Sequence, residues 1–295
     1  MRWSISRVLL IVSVALLSSC GALRHRPSKG PELYGYDPLG RLEAVMYPTS
    51  VPGPTQRKMM VYLPEGYDAD TTSRYPVIYL LHGARGSETT WIWQGKTVQR
   101  ADSLYSRGLA TPAIIVMPDV NFFKNDRDYD NSRYKSAVEC VLEVNGIVET
   151  GFAEDVVGYV DRHFRTYADK AHRAIAGMSI GGMQAAYLSA NQQQMFDYVG
   201  LFSPMESTIL RYSKYNKFYL DSARKMKAQF REHPPKKYFI MRGRFDMLVS
   251  PMTIHMHYAF NLRGYAHYYY ITRAFGHSWA CWQESLDIFL SECFR

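Results

Sequence analysis

Cysteine is scarce in this chain. Its 295 residues hold four, Cys20, Cys140, Cys281 and Cys293, and no two stand at a metal-ligand spacing. Cys281 and Cys293 fall on one expected helix, about 18 Å apart by its rise per residue, too far to be bridged. A Cys140–Cys281 disulfide and buried free thiols both remain open. Long apolar runs are also lacking after the first twenty residues, so no second segment approaches membrane-spanning length. Dense basic blocks are absent as well. The formal charge of +8 owes much to Arg2, Arg7, Arg24, Arg26 and Lys29, opposed early on only by Glu32 and Asp37. The remaining excess is dispersed, which argues against nucleic acid as a partner. No internal repeat or low-complexity tract occurs.

What is present begins with a targeting pattern. Arg2 and Arg7 form a positive n-region, and Val8 to Leu17 form an apolar core short for a span. Leu17-Ser18-Ser19-Cys20 then resembles a bacterial lipobox, in which Cys20 carries lipid and becomes the mature N-terminus. Residues 1–19 are therefore expected to be a lipoprotein signal peptide. Residues 20–40, with Pro27, Pro31 and Pro38, read as a tether. That leaves residues 41–295 as a single domain, held outside the cytoplasm on a bacterial membrane by the lipid alone.

Strands and helices alternate through this domain. Apolar runs at Lys58–Leu63, Val77–Leu81, Ala113–Met117, Ala174–Ala176, Tyr198–Phe202, Tyr238–Met241 and Tyr268–Ile271 are mostly continuous, as in strands buried on both faces. Helical patterns at Phe152–Phe164, Gly182–Ala190, Ser222–Arg231, Pro251–Leu262 and Trp279–Cys293 lie between them. The expected fold is an α/β, mostly parallel, doubly wound sheet. Val120 to Thr150 and Ser203 to Lys237 resist this reading; the second lies where a small cap would sit.

One turn carries most of the chemical information. Gly177-Met178-Ser179-Ile180-Gly181-Gly182 follows an apolar strand and precedes a helical pattern, the setting of a nucleophile elbow. A serine there sits on strained backbone above a helix N-terminus that favours developing negative charge. Serine needs a base, and the base needs an orienting carboxylate. Asp246 lies just past the Tyr238–Met241 strand, and His277 lies just past Tyr268–Ile271. Both fall at strand C-terminal ends, where ligands bind in such sheets. The order Ser179, Asp246, His277 is the one used by α/β-hydrolases. His255 and His257 are two apart on a helix and point to different faces, so no metal site is expected. Asp287 is a weaker acid candidate. For the oxyanion, one donor is expected from the N–H of Ile180. The second is expected from Ala84 in His82-Gly83-Ala84-Arg85-Gly86, with Arg85 as the register-shifted alternative.

These motifs together carry a family resemblance. Tyr79-Leu80-Leu81-His82-Gly83, Gly86-Ser87-Glu88-Thr89-Thr90-Trp91, Met117-Pro118-Asp119, the Ser179 turn and Gly276-His277-Ser278-Trp279 resemble the putative esterase family. That family includes feruloyl and acetyl xylan esterases of carbohydrate esterase family 1, S-formylglutathione hydrolases, siderophore esterases and mycolyltransferases. The resemblance spans roughly Leu42 to Phe289. It implies an α/β-hydrolase fold, with the family's catalytic serine, acid and histidine falling on Ser179, Asp246 and His277. Two departures stand out: Ala84-Arg85-Gly86 replaces part of the usual Gly-Gly pair, and the Gly243-Arg244-Phe245-Asp246 acid motif is looser.

The expected activity is a cofactor-free serine esterase acting on feruloyl or acetyl esters of carbohydrate, a small-molecule or oligosaccharide ester. Arg85, Trp91 and Trp279 are the expected substrate contacts, because aromatic rings suit an aromatic acyl group or a sugar face and Arg85 lies by the oxyanion loop. Two other readings use the same chain: an acyltransferase to a sugar acceptor, and a non-catalytic carbohydrate-binding lipoprotein.

Overall fold

The computed structural model describes residues 35–120, 147–205, 216–274 and 276–295. Eight strands form one sheet: β1 Arg41–Pro48, β2 Gln56–Leu63, β3 Val77–Leu81, β4 Ile114–Pro118, β5 Arg173–Met178, β6 Tyr198–Phe202, β7 Lys237–Gly243 and β8 Tyr268–Thr272. Their order is β1-β2-β4-β3-β5-β6-β7-β8. The β1–β2 and β2–β4 pairs are antiparallel, and every other pair is parallel.

Side-chain alternation splits the core into two layers. Ile78 and Leu80 of β3 and Ala174, Ala176 and Met178 of β5 face one side. There they meet α1 (Thr90–Trp93), α2 (Thr97–Ser106) and α8 (Trp279–Glu292) through Trp91, Val98, Ala101, Leu286 and Phe289. Val77, Tyr79, Leu81 and Ile175 face the other side. They are covered by Phe152, Val156, Val157 and Val160, by α5 (Ile180–Asn191), and by Phe260 of α7 (Ser250–Arg263). Helix α6 (Asn216–Glu232) reaches this layer through Met226 and Phe230. Both faces of β3, β5 and β6 are thus buried, which is why these strands read as unbroken apolar runs.

Three features differ from the sequence reading. Strand β1 was not among the expected strands; as an edge strand with mixed exposure it shows no clean apolar pattern. Helix α2 was also missed, because its core-facing side includes Asp102. That buried carboxylate accepts hydrogen bonds from Tyr36 Oη at 2.6 Å, Leu39 N–H at 2.9 Å and the Tyr62 hydroxyl. Tyr36, inside the expected tether, is thus bonded to the domain. Finally, Phe152–Phe164 is not one α-helix. An α-helical turn, α3 (Ile147–Gly151), runs into a π-helical stretch at Phe152–Gly158 and then α4 (Tyr159–His163). The wider π turn brings Phe152, Val156, Val157 and Val160 to the core. Asp155 in the same stretch accepts from Thr49 Oγ1 and Ser50 N–H at 3.0 and 2.9 Å.

Cys20, Cys140 and most of Val120–Thr150 lie outside the described residues, as does the start of the Ser203–Lys237 segment. Cys281 and Cys293 are buried free thiols. Among the described residues no helix is long and apolar enough to cross a membrane.

Candidate active site

Strand β5 is interior to the sheet, and Ser179 stands at its C-terminal end as the residue before α5. Its backbone has φ +54° and ψ −116°, a conformation that a side chain strains. Three hydrogen bonds impose it. Ser179 N–H donates to Phe202 O at 2.9 Å, and its carbonyl accepts from Met205 N–H at 3.1 Å and Met183 N–H at 3.3 Å. The glycines around it are required by close approach. A Cβ on Gly177 would lie 2.4 Å from the Gly181 carbonyl, and one on Gly181 would lie 2.3 Å from His82 O. Helix and strand meet backbone to backbone here.

His277 joins Ser179 to Asp246. Its Nε2 is 2.9 Å from Ser179 Oγ, and its Nδ1 is 3.0 Å from Asp246 Oδ2. An ionised carboxylate only accepts, so Nδ1 carries the proton and donates it toward Asp246. That leaves Nε2 bare to accept the hydrogen bond of the Ser179 hydroxyl. Trp282 packs edge-on against the imidazole, with ring centres 4.9 Å apart. Asp246 itself is fully buried. Burial pushes its carboxyl up, but hydrogen bonding and charge attraction from His277, with further bonds from Ser203 and Val249 N–H, hold it below the ordinary carboxylate value. The surrounding loop is set by Arg242, whose Nη1 donates to the carbonyls of Gly243 and Arg244 at 3.0 and 3.1 Å and to Ser250 Oγ at 3.1 Å. Its Nε donates to Tyr269 Oη at 2.7 Å.

The loop after β3 abuts the serine: a Cβ on Gly83 would sit 3.4 Å from Ser179 Cβ. Gly86 N–H closes a turn onto Gly83 O at 3.1 Å, with Arg85 at φ +58°. The buried His82 ring fixes this turn from within. Val120 N–H donates to its Nε2 at 3.1 Å, so Nδ1 bears the proton and donates to Gly83 O at 2.8 Å. Asp119 Oδ1 lies 3.3 Å from the same Nε2. His82 thus holds the loop's shape. The turn's closing bond leaves the Ala84 N–H uncommitted to it, and Ile180 is the first residue of α5, where N–H groups lack intrahelical partners.

The expected substrate contacts fare differently. Trp91 is only 1% exposed, and its indole N–H donates to Leu81 O at 2.9 Å. It packs edge-on to Phe202 and Trp279, so it is a core residue and cannot present a face to substrate. Trp279 is half-buried and also edge-on to Trp282. Arg85 is half-buried within the Gly83–Gly86 turn. Among the other histidines, His257 and His267 bond each other at 2.8 Å on the far side of Arg242 and Tyr269. Among the described residues no group of three or more His, Cys, Asp or Glu side chains gathers as metal ligands. Sequence reasoning gave no role to Arg242, whose side-chain partners Ser250 and Tyr269 leave no recognisable motif.

A family model described as "Putative esterase" matches residues 51–238, well over half of the chain. The chain belongs to the Putative esterase family. This esterase-family chain is 33% identical over 183 residues to a protein named endo-1,4-beta-xylanase/feruloyl esterase from Xylanibacter ruminicola. That match spans 60% of this chain but 24% of the relative, so the chain covers about a quarter of that protein's length. Among solved structures, a CE1 ferulic acid esterase from Anaeromyces mucronatus superposes with a TM-score of 0.72 at 24% identity, covering 90% of this chain and 96% of that one. The same fungal protein has been solved with ferulic acid bound. An S-formylglutathione hydrolase from Agrobacterium tumefaciens gives 0.66 at 14% identity, covering 88% and 98%. These neighbours share the α/β-hydrolase fold of this chain.

Proposed function

We propose that this chain is a serine carboxylic ester hydrolase acting on feruloyl or acetyl esters of carbohydrate. The carrying observation is the continuous line from Ser179 Oγ through His277 to Asp246, at 2.9 and 3.0 Å. In this reading Ser179 Oγ attacks the ester carbonyl while His277 Nε2 takes its proton. Asp246 holds the imidazole in the required tautomer and stabilises the imidazolium. The tetrahedral oxyanion is received by the N–H groups of Ile180 and Ala84. His277 then protonates the departing alcohol, and water, activated the same way, releases the acid from the acyl-enzyme.

The substrate class draws its support from the relatives. One curated relative bears a xylanase and feruloyl esterase name, and the fungal esterase binds ferulic acid. With Trp91 in the core, Trp279 and Arg85 remain as the residues proposed to meet acyl group or sugar. Cys20 is proposed to carry a lipid that holds the enzyme at a bacterial membrane, outside the cytoplasm.

Purified protein lacking residues 1–19 should react with a fluorophosphonate probe at Ser179 and hydrolyse feruloyl or acetyl esters of a xylo-oligosaccharide. Labelling elsewhere, or no turnover across a feruloyl, acetyl and butyryl panel, would overturn the assignment. Acyl transfer to added sugar exceeding hydrolysis would make it an acyltransferase instead.

A further inference from the structure

Helix α5 is mostly apolar, yet Gln184 is buried in it. A buried amide is costly unless its hydrogens are bonded, so its partners define its use. Gln184 stands three residues after Gly181, on the same face of the helix. Gly181 lies against the His82 carbonyl, where an added Cβ would come within 2.3 Å. One turn further on, Gln184 Nε2 donates to Val120 O at 3.2 Å and to Glu149 Oε1 of α3 at 2.8 Å. Val120 and Glu149 are themselves buried.

Val120 is the middle of a relay. It follows the end of β4, and both of its backbone groups bond side chains. Its carbonyl takes the Gln184 amide, and its N–H donates to His82 Nε2 at 3.1 Å. A ring nitrogen that accepts carries no hydrogen, so the His82 proton sits on Nδ1 and reaches Gly83 O at 2.8 Å. The same carbonyl takes the Gly86 N–H at 3.1 Å, closing the turn that holds Ala84. Gln184, Val120, His82 and Gly83 are thereby joined in one line, from the helix that follows Ser179 to the loop beside it. Carbonyls only accept, so each bond in the line has one workable direction.

We propose that Gln184 is a positioning residue for the oxyanion turn, acting through Val120 and His82. The inference rests on the esterase reading for its catalytic consequence, while the hydrogen-bonded line stands apart from it. By holding the Val120 carbonyl, Gln184 keeps the Val120 N–H aimed at His82. The ring then presents Nδ1–H to Gly83 O and fixes the turn whose Ala84 N–H is to meet the oxyanion. Preorganised donors stabilise developing charge without moving, so a loosened turn weakens transition-state binding more than substrate binding. Glu149 has a separate part: it takes the second amide hydrogen and so sets the rotation of the amide plane.

Two variants separate this line from ordinary packing. Gln184→Met keeps the side chain's length and removes both bonds. Gln184→Glu combined with Glu149→Gln keeps the bond between α5 and α3 with its direction reversed, while the new carboxylate on α5 has no hydrogen for Val120 O. Both should lower kcat about fivefold or more with KM within about twofold, the scale of a lost buried hydrogen bond. An arylboronic acid, whose adduct on Ser179 puts an oxygen where the oxyanion sits, should lose affinity by a similar factor. In nitrogen NMR of the imidazole, His82 of the parent should show the Nδ1–H tautomer alone, and both variants a mixture. Parental kcat in either folded variant overturns the proposal; in the double variant it would mean that Gln184 only joins α5 to α3. An unchanged His82 tautomer in both variants overturns it even if activity falls. If Gln184→Met fails to fold, the double variant decides alone. The tautomer measurement needs no turnover, so an inactive parent would sink the esterase reading and leave this test standing.

Discussion

The turn that carries Ser179 and the loop that carries Asp246 meet at one imidazole and are held in opposite ways. The serine turn is locked by backbone contacts: Gly181 lies against the carbonyls of Leu81 and His82, where an added Cβ would sit 2.6 and 2.3 Å away. The acid loop is held by side chains: His277, which follows β8, and Arg242 at the end of β7 itself. Its flanks are open to solvent, with Phe245 57% and Met247 82% exposed around a fully buried Asp246. A backbone lock demands small residues at fixed spacing, so it leaves a motif. A lock of dispersed hydrogen bonds tolerates varied neighbours and leaves almost none.

The sharpest test of the serine side is Ser179→Ala. Turnover should fall by about 10⁴ or more with the melting temperature nearly unchanged, since the methyl group fits the same space. A variant with near-parental turnover would remove Ser179 from the mechanism. On the acid side, Asp246→Asn should cost roughly 10³ to 10⁴ in kcat with little change in KM, because the amide favours the wrong imidazole tautomer. If this variant is nearly silent, the acid lies elsewhere.

The same substitution probes linkage. The Asp246 carboxyl titrates below its ordinary value in the folded chain, so its ionised form adds stability that is complete above the unfolded value of about 4. That increment is lost as pH falls through the folded value. The gap in melting temperature between parent and Asp246→Asn should therefore narrow from neutral pH toward pH of about 3. A gap independent of pH would contradict the assigned direction.

The backbone lock itself is broken by Gly181→Ala. The clash is with carbonyl oxygens, which cannot rotate away, so denaturant unfolding should show a loss of about 1–3 kcal/mol together with a fall in activity. A stable, fully active alanine variant would show that the turn can shift, erasing the contrast with the acid loop. The smallest effect on chemistry is expected from Cys20→Ser, which lies outside the contrast. Turnover per folded molecule should match the parent, while detergent partitioning and removal of residues 1–19 should be lost. Normal cleavage with continued membrane association would show that no lipid at Cys20 holds the chain.

Much of the site was legible because its constraints are local. The Ser179 turn, the Asp246 strand end and the Gly276-His277 pair each sit next to an apolar run that announces its strand. Elements whose cores contain polar residues were harder: α2 buries Asp102, β1 is a mixed edge strand, and the π-helical stretch breaks a period that otherwise reads as α. Trp91 shows the reverse error. A tryptophan beside the loop after β3 reads as a platform, yet its indole N–H bonds Leu81 O in the core.

The sequence by itself determined the alternation of strands and helices, the turn at Ser179, and the strand ends where Asp246 and His277 stand, because each follows from short-range periodicity or from a steric need for glycine. Only the tertiary structure decided which aromatic rings are core, that Tyr36 bonds the buried Asp102, and how the Asp246 loop is held. Those outcomes depend on sheet order. It sets β6 between β5 and β7 and so brings Ser203 and Cys281, 78 positions apart, to within 3.6 Å of each other.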